Sequence, residues 1–195
     1  MATWGALNAP MADRLDLQRI AAAFRSMGWI AFWSQLSMAV VCLGVLAFNS
    51  IGNDLMRNRD RAIGLGPGLS LTTLALLVLA WSIWQDWGMI RLSRALASGS
   101  GARPSKGETA AQLKRHVLAS LAGVTLAAVG YQALAGSLTF QASMQQPGVV
   151  GAVGMGNNAI TSLEMFSVLA NTQALTGHLI GLWISLWLLQ RIQRR

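Results

Sequence analysis

Trp29-Ile-Ala-Phe-Trp-Ser-Gln-Leu-Ser-Met-Ala-Val-Val-Cys-Leu-Gly-Val-Leu-Ala-Phe48 runs for twenty residues without a formal charge. The hydrocarbon core of a bilayer, about 30 Å thick, is crossed by about 20 helical residues rising roughly 1.5 Å each. The run supplies that length and predicts a first transmembrane span over 29–48. Three further apolar runs, over 69–90, 116–140 and 163–189, predict three more. The fold expected is all-α: an integral membrane four-helix bundle forming a single membrane domain over 1–195.

Composition agrees with the runs. The chain is 53% hydrophobic and 11% charged, whereas typical globular proteins carry about 25% charged residues. So few charges cannot cover a water-facing surface, and lipid removes the need. The net charge of +8 could suggest nucleic acid as a partner. Its basic residues, however, stand at the edges of the apolar runs, with no basic stripe interleaved with aromatics. The expected partner is the lipid bilayer, not nucleic acid. Cys42, the one cysteine, lies inside the first run and permits neither an intramolecular disulfide nor a multi-cysteine metal site.

Residues 1–28 read as an amphipathic N-terminal helix. Leu17, Ile20, Phe24 and Met27 follow one another at three- and four-residue steps, with Arg14 and Arg25 elsewhere on the wheel. The helix is expected to lie in the membrane interface, its apolar stripe against lipid or the bundle. Charges at 13–25 precede the first long apolar run, so no cleavable signal is expected and the mature protein should begin near Met1. Twelve of the fifteen Lys and Arg residues fall in the N-terminal segment, the 91–115 loop and the C-terminal tail; the 49–68 loop holds three and the 141–158 loop none. The positive-inside rule then puts both termini and the central loop in the cytoplasm.

Chemistry concentrates in the fourth run. Glu164, Asn171, His178 and Ser185 recur every seven residues, and at about 100° per residue each step of seven returns to within about 20° of one helix face. Polar groups on one stripe cannot all face lipid; they must meet partner helices or a wet cavity. Two roles follow: a polar path for an ion or proton, or interhelical hydrogen bonds that fix packing. Gln35 in the first run is a candidate partner for the stripe. Gly177 and Gly181 beside His178, and Gly123 and Gly130 in the third run, offer small faces for close helix packing. Asp86 is expected to pair with Arg91 or Arg94 at the boundary, and His116, next to Arg115, to be interfacial.

Several classes drop out. No phosphate-binding glycine loop, zinc spacing, nucleophile elbow or haem-attachment motif is present. The glycines of 148–154 follow no predicted strand, which removes a dinucleotide site. No enzyme and no cofactor are expected, and the metal question stays open.

Short motifs nevertheless resemble a known family. Gly28-Trp29-Ile30-Ala31-Phe32-Trp33-Ser34-Gln35-Leu36, Arg91-Leu92-Ser93, and Glu164-Met165-Phe166 with Ala170-Asn171-Thr172, His178, Gly181-Leu182 and Ser185-Leu186 are similar to segments of a small tetraspan family. It includes the chloroplast inner-envelope protein described both as an iron permease and as an import-translocon component, with cyanobacterial relatives. The family's acid is usually Asp, fourteen positions before its histidine; Glu164 and His178 keep that spacing. Leu169 stands where glutamine is usual. The resemblance implies a multi-pass, permease-like protein of cyanobacterial plasma or thylakoid membrane, with iron or another divalent cation as the expected cargo. The alternative is a non-transporting subunit or assembly factor, and either form could be a homo-oligomer or part of a larger membrane complex.

Overall fold

A computed structural model of the chain describes residues 5–55, 65–97, 105–144, 160 and 162–193. They form four helices: α1 (Gly5–Leu55), α2 (Leu65–Ala97), α3 (Lys106–Ser143) and α4 (Ser162–Gln193). Each contains a stretch long and apolar enough to cross a membrane: Gln18–Ile51, Leu65–Ala95, Gly107–Ser143 and Glu164–Gln193. The expected spans 29–48, 69–90 and 116–140 fall inside these stretches, and 163–189 falls inside α4. Ser105 sets the start of α3 by a reciprocal capping box. Its hydroxyl accepts from the Glu108 N–H at 3.1 Å, and the Glu108 carboxylate accepts from the Ser105 N–H at 2.7 Å. Such a cap contributes about 1 kcal/mol.

Buried positions follow steps of three and four, or seven, along all four helices. On α2 the series is 65, 68, 72, 75, 79, 82, 86, 89 and 93, with 90 also buried; on α3 it is 109, 113, 116, 120, 123, 127, 130, 134, 138 and 141, with 137 also buried. This 3.5-residue period is the seam of coiled-coil packing. The helices run up, down, up and down. Gly28 of α1 faces Ile90 of α2, Gly68 of α2 faces Leu134 of α3, and Gly130 of α3 faces Asn171 of α4. Each helix packs on its two neighbours, and α2 also meets α4 across the diagonal.

The exterior is apolar where a soluble bundle would be charged. Trp33, Val40, Leu43, Leu77, Leu118 and Trp183 are among many large hydrophobic side chains left exposed. With no water-facing polar shell, the hydrophobic effect cannot drive these helices together, and small residues and interhelical hydrogen bonds take that role.

Two expectations about boundaries change. The amphipathic segment is not a separate interfacial helix but the beginning of the continuous, span-like α1. Its stripe faces the bundle, because the other helices run on beside it. Phe24 is buried with Met89, Leu113, Leu188 and Ile192, while Ile20 and Met27 pack against that group. Leu17 lies outside the side chains the structure describes. The expected 91–115 loop shrinks as well, since α2 reaches Ala97 and α3 begins at Lys106. Arg91, Arg94, Lys114 and Arg115 are therefore helical.

Candidate functional site

All four members of the α4 stripe are buried, with Glu164 5% exposed and the other three fully covered. The stripe divides into two halves of different character.

Toward the α1–α2 end, polar groups are consumed by packing. The Asn171 amide nitrogen donates to the Ala127 carbonyl of α3 at 2.8 Å, and its oxygen accepts from the Thr72 hydroxyl of α2 at 3.1 Å. Asn171 thereby ties three helices. The Asn49 amide of α1 donates to the Ser167 hydroxyl of α4, and Glu164 is anchored in the same half. At the Asn171 level the centre is closed by small apolar side chains: Cys42, Ala75, Ala127, Ala170 and Ala174.

The other half is built differently. His178 Nε2 lies 3.0 Å from the Ala75 carbonyl of α2. A carbonyl can only accept, so Nε2 carries the proton and, in the neutral ring, Nδ1 holds a lone pair. That Nδ1 has no hydrogen-bond partner. The ring lies against Gly123 so closely that a Cβ there would overlap it, so only glycine admits the imidazole at this crossing. Electrostatically, His178 is within reach of the second imidazole, His116.

His116 is fully buried rather than interfacial. Its Nδ1 is 2.6 Å from the Ser185 hydroxyl of α4 and 3.4 Å from that of Ser120. Its Nε2 is 3.0 Å from Asp86 Oδ1, an ion-pair distance at which the oxygen lies outside hydrogen-bond geometry. Asp86 is likewise fully buried and pairs with His116, not with Arg91 or Arg94. Position 86 continues the buried seam of α2, so its side chain turns inward while the arginines turn out. Gln35 of α1 completes the group. Its amide rests on Gly181, where a Cβ would collide with it and would sit 3.1 Å from His116 Cε1. Neither polar atom of the Gln35 amide has a partner.

The expected small faces are all at close crossings. Besides Gly123 and Gly181, Gly130 admits the Asn171 amide, with a built Cβ 3.3 Å from its oxygen. Gly177 admits Leu79 at 3.1 Å. Sequence reasoning did not single out Ser82, Asp86 and His116 as members of the interior. The signal was the 3-4 step itself, 82–86–89–93 and 109–113–116–120, running unbroken past the nominal ends of the apolar spans at 90 and 116.

Eight buried side-chain atoms among the described residues lack a hydrogen bond, and seven belong to this half: both amide atoms of Gln35, Ser82 Oγ, both oxygens of Asp86, His116 Nε2 and His178 Nδ1. Every helix contributes at least one. Among the described residues no three His, Cys, Asp or Glu side chains come together as a metal site. Chemically, the group offers a carboxylate, two imidazoles and an amide, which can hold a proton, water or a cation.

Residues 14–193 match the family described as a protein of unknown function, DUF3611. A curated relative, Protein TIC 21, chloroplastic, from Arabidopsis thaliana, is 27% identical over 189 residues, covering 94% of this chain. The chain spans about three fifths (60%) of that relative's length. No solved structure matches the chain.

Proposed function

The chain belongs to the DUF3611 family, and we propose that within it this multi-pass membrane protein is permease-like, passing a small cation through the bundle interior. Iron or another divalent cation is the cargo suggested by the resemblance of the motifs around Gln35, Glu164 and His178. Asp86 supplies the charge. His116, His178 and Gln35 supply exchangeable protons and lone pairs, and Glu164 offers a carboxylate toward the opposite end. The proposed role is a non-catalytic one. Four spans are few for a transporter, so a homo-oligomer or larger complex belongs to the proposal. So does a cytoplasmic position for both termini and the α2–α3 connection, supported by the distribution of basic residues. The membrane proposed is a cyanobacterial plasma or thylakoid membrane.

One observation carries the proposal: beside the buried Asp86–His116 ion pair, five further polar atoms, on Gln35, Ser82, Asp86 and His178, have no partner. An unsatisfied polar group in an apolar medium costs several kcal/mol. Left unmet, five would rival the roughly 5–15 kcal/mol by which proteins are stable. A guest such as water, a proton or a cation would complete them, and a group completed by a guest is suited to exchange it. The satisfied half, with Asn171 spanning three helices, favours a second function. In it the polar residues hold helices or partners together in a membrane subunit or assembly factor.

Uptake of divalent cations by proteoliposomes of the purified protein separates the two. The wild type should accumulate metal. His178→Leu and Asp86→Asn should reconstitute and melt normally yet lose about tenfold or more of that uptake, since each removes a proton site or charge from the interior. Glu164→Gln should lower uptake while leaving packing intact. Undiminished uptake in all three variants at normal expression would sink the permease proposal and leave the subunit role.

A further inference from the structure

A cleft of about 480 Å³ opens on the outer surface between α2 and α3, away from the interior polar group. Three tryptophans line it, Trp81, Trp84 and Trp87 at successive turns of α2. So do two exposed cations, Arg91 of α2 and Arg115 of α3. Two amides, Gln85 and Gln112, join them, one from each helix. Gly88 keeps the space open; a Cβ there would sit 2.8 Å from the Gln112 amide nitrogen. Among the described residues no carboxylate lies within ion-pair distance of Arg91 or Arg115; the ion pair found there is His116–Asp86.

We propose that this cleft is a binding site for one phospholipid with an anionic headgroup. The lining combines the groups that the phosphate, ester and glycerol region of such a lipid meets at the membrane boundary. The two guanidiniums can each make charge-assisted hydrogen bonds to the phosphate. The amides can donate to its ester oxygens. Tryptophan packs at the headgroup boundary, where rings with one wet and one apolar edge are favoured, and Leu118 continues the apolar wall. The chemistry selects a negative headgroup because the residues lining the cleft include two positive charges and no carboxylate. It is independent of whether the bundle interior carries a cargo.

Native mass spectrometry of the full chain, released from bilayers of phosphatidylglycerol and phosphatidylcholine, tests the site. The wild type should retain one phosphatidylglycerol per chain in preference to phosphatidylcholine. The Arg91→Gln/Arg115→Gln pair should reduce that preference by about thirtyfold, as expected for removing two interfacial cation–phosphate contacts. Arg94→Gln/Lys114→Gln removes the same charge from the same helices outside the cleft and should leave the preference intact. Gly88→Val, which fills the cleft but keeps every arginine, should lower retention too. Equal losses in the two double variants would overturn the site in favour of diffuse surface attraction. An unchanged preference in Arg91→Gln/Arg115→Gln, or full retention in Gly88→Val, would also overturn it. Millimolar inorganic phosphate should not displace the lipid; displacement would make this a soluble-anion site and refute the proposal.

Discussion

Replacing Gly123 with Ala tests whether the crossing of α3 and α4 is set by the imidazole of His178. In an exposed or loosely packed helix position, Gly→Ala is stabilising by about 1 kcal/mol, because alanine loses less backbone entropy. At Gly123 the new methyl would overlap the His178 ring, which is fully buried and tied to the Ala75 carbonyl at 3.0 Å. Overpacking a filled site costs about 1–3 kcal/mol. Displacing the ring forfeits a membrane hydrogen bond of about 0.6 kcal/mol. Set against the propensity gain, the net expectation is a loss of about 0.6–2.6 kcal/mol. Gly136→Ala is the matched control on the same helix, since a Cβ there meets nothing within 4 Å, and it should be neutral or stabilising. Equilibrium unfolding in mixed micelles reads both. His178→Ala should rescue Gly123→Ala by restoring room, giving a coupling well outside simple additivity. Equal stability of Gly123→Ala and Gly136→Ala, or no coupling with His178→Ala, would refute the packing reasoning.

Asn171→Leu removes both interhelical hydrogen bonds and leaves the Thr72 hydroxyl only its own-helix carbonyl, Gly68, at 2.9 Å. A stability loss of about 1 kcal/mol is expected, two bonds at the membrane average, measured by the same unfolding assay. With Cys42 replaced by Ala, cysteines placed at Ser100 and Ser143 should be labelled from opposite faces by a membrane-impermeant maleimide. Labelling of both from one face would contradict the up-and-down order together with the basic-residue orientation.

Much of the fold was legible because membrane helices announce themselves by uninterrupted apolar length, which Trp29–Phe48 displays without any context. The seven-residue recurrence of Glu164, Asn171, His178 and Ser185 was legible for the same reason: on an apolar helix, polar residues stand out and their phase gives the inward face. Asp86 and His116 were not, because each has arginine close by in sequence, and a charge near the end of an apolar run looks like boundary decoration. Their inward direction depends on where α2 and α3 really end. The helices run past the apolar spans, with α3 starting at Lys106 rather than near His116. The amphipathic stripe of the N-terminal segment had the right phase but could not say which surface it met. That depended on Leu113, Leu188 and Ile192 of other helices extending alongside Phe24.

The described tryptophans are unevenly shared between the two ends. Trp29 and Trp33 of α1, Trp81, Trp84 and Trp87 of α2, and Trp183 and Trp187 of α4 all lie in the half that carries the Asp86–His116 pair. Trp29, Phe32, Trp33 and Trp87 contact one another, and Arg191 caps Trp187 at 5.1 Å. The opposite half has lighter aromatics, Phe48 against Phe166. A bundle held this firmly at one leaflet and loosely at the other answers changes in bilayer thickness from the loose side alone. When the membrane thins or thickens, the depth of the buried aspartate beneath the indole-rich leaflet stays constant, and hydrophobic mismatch is absorbed around Phe48 and Phe166.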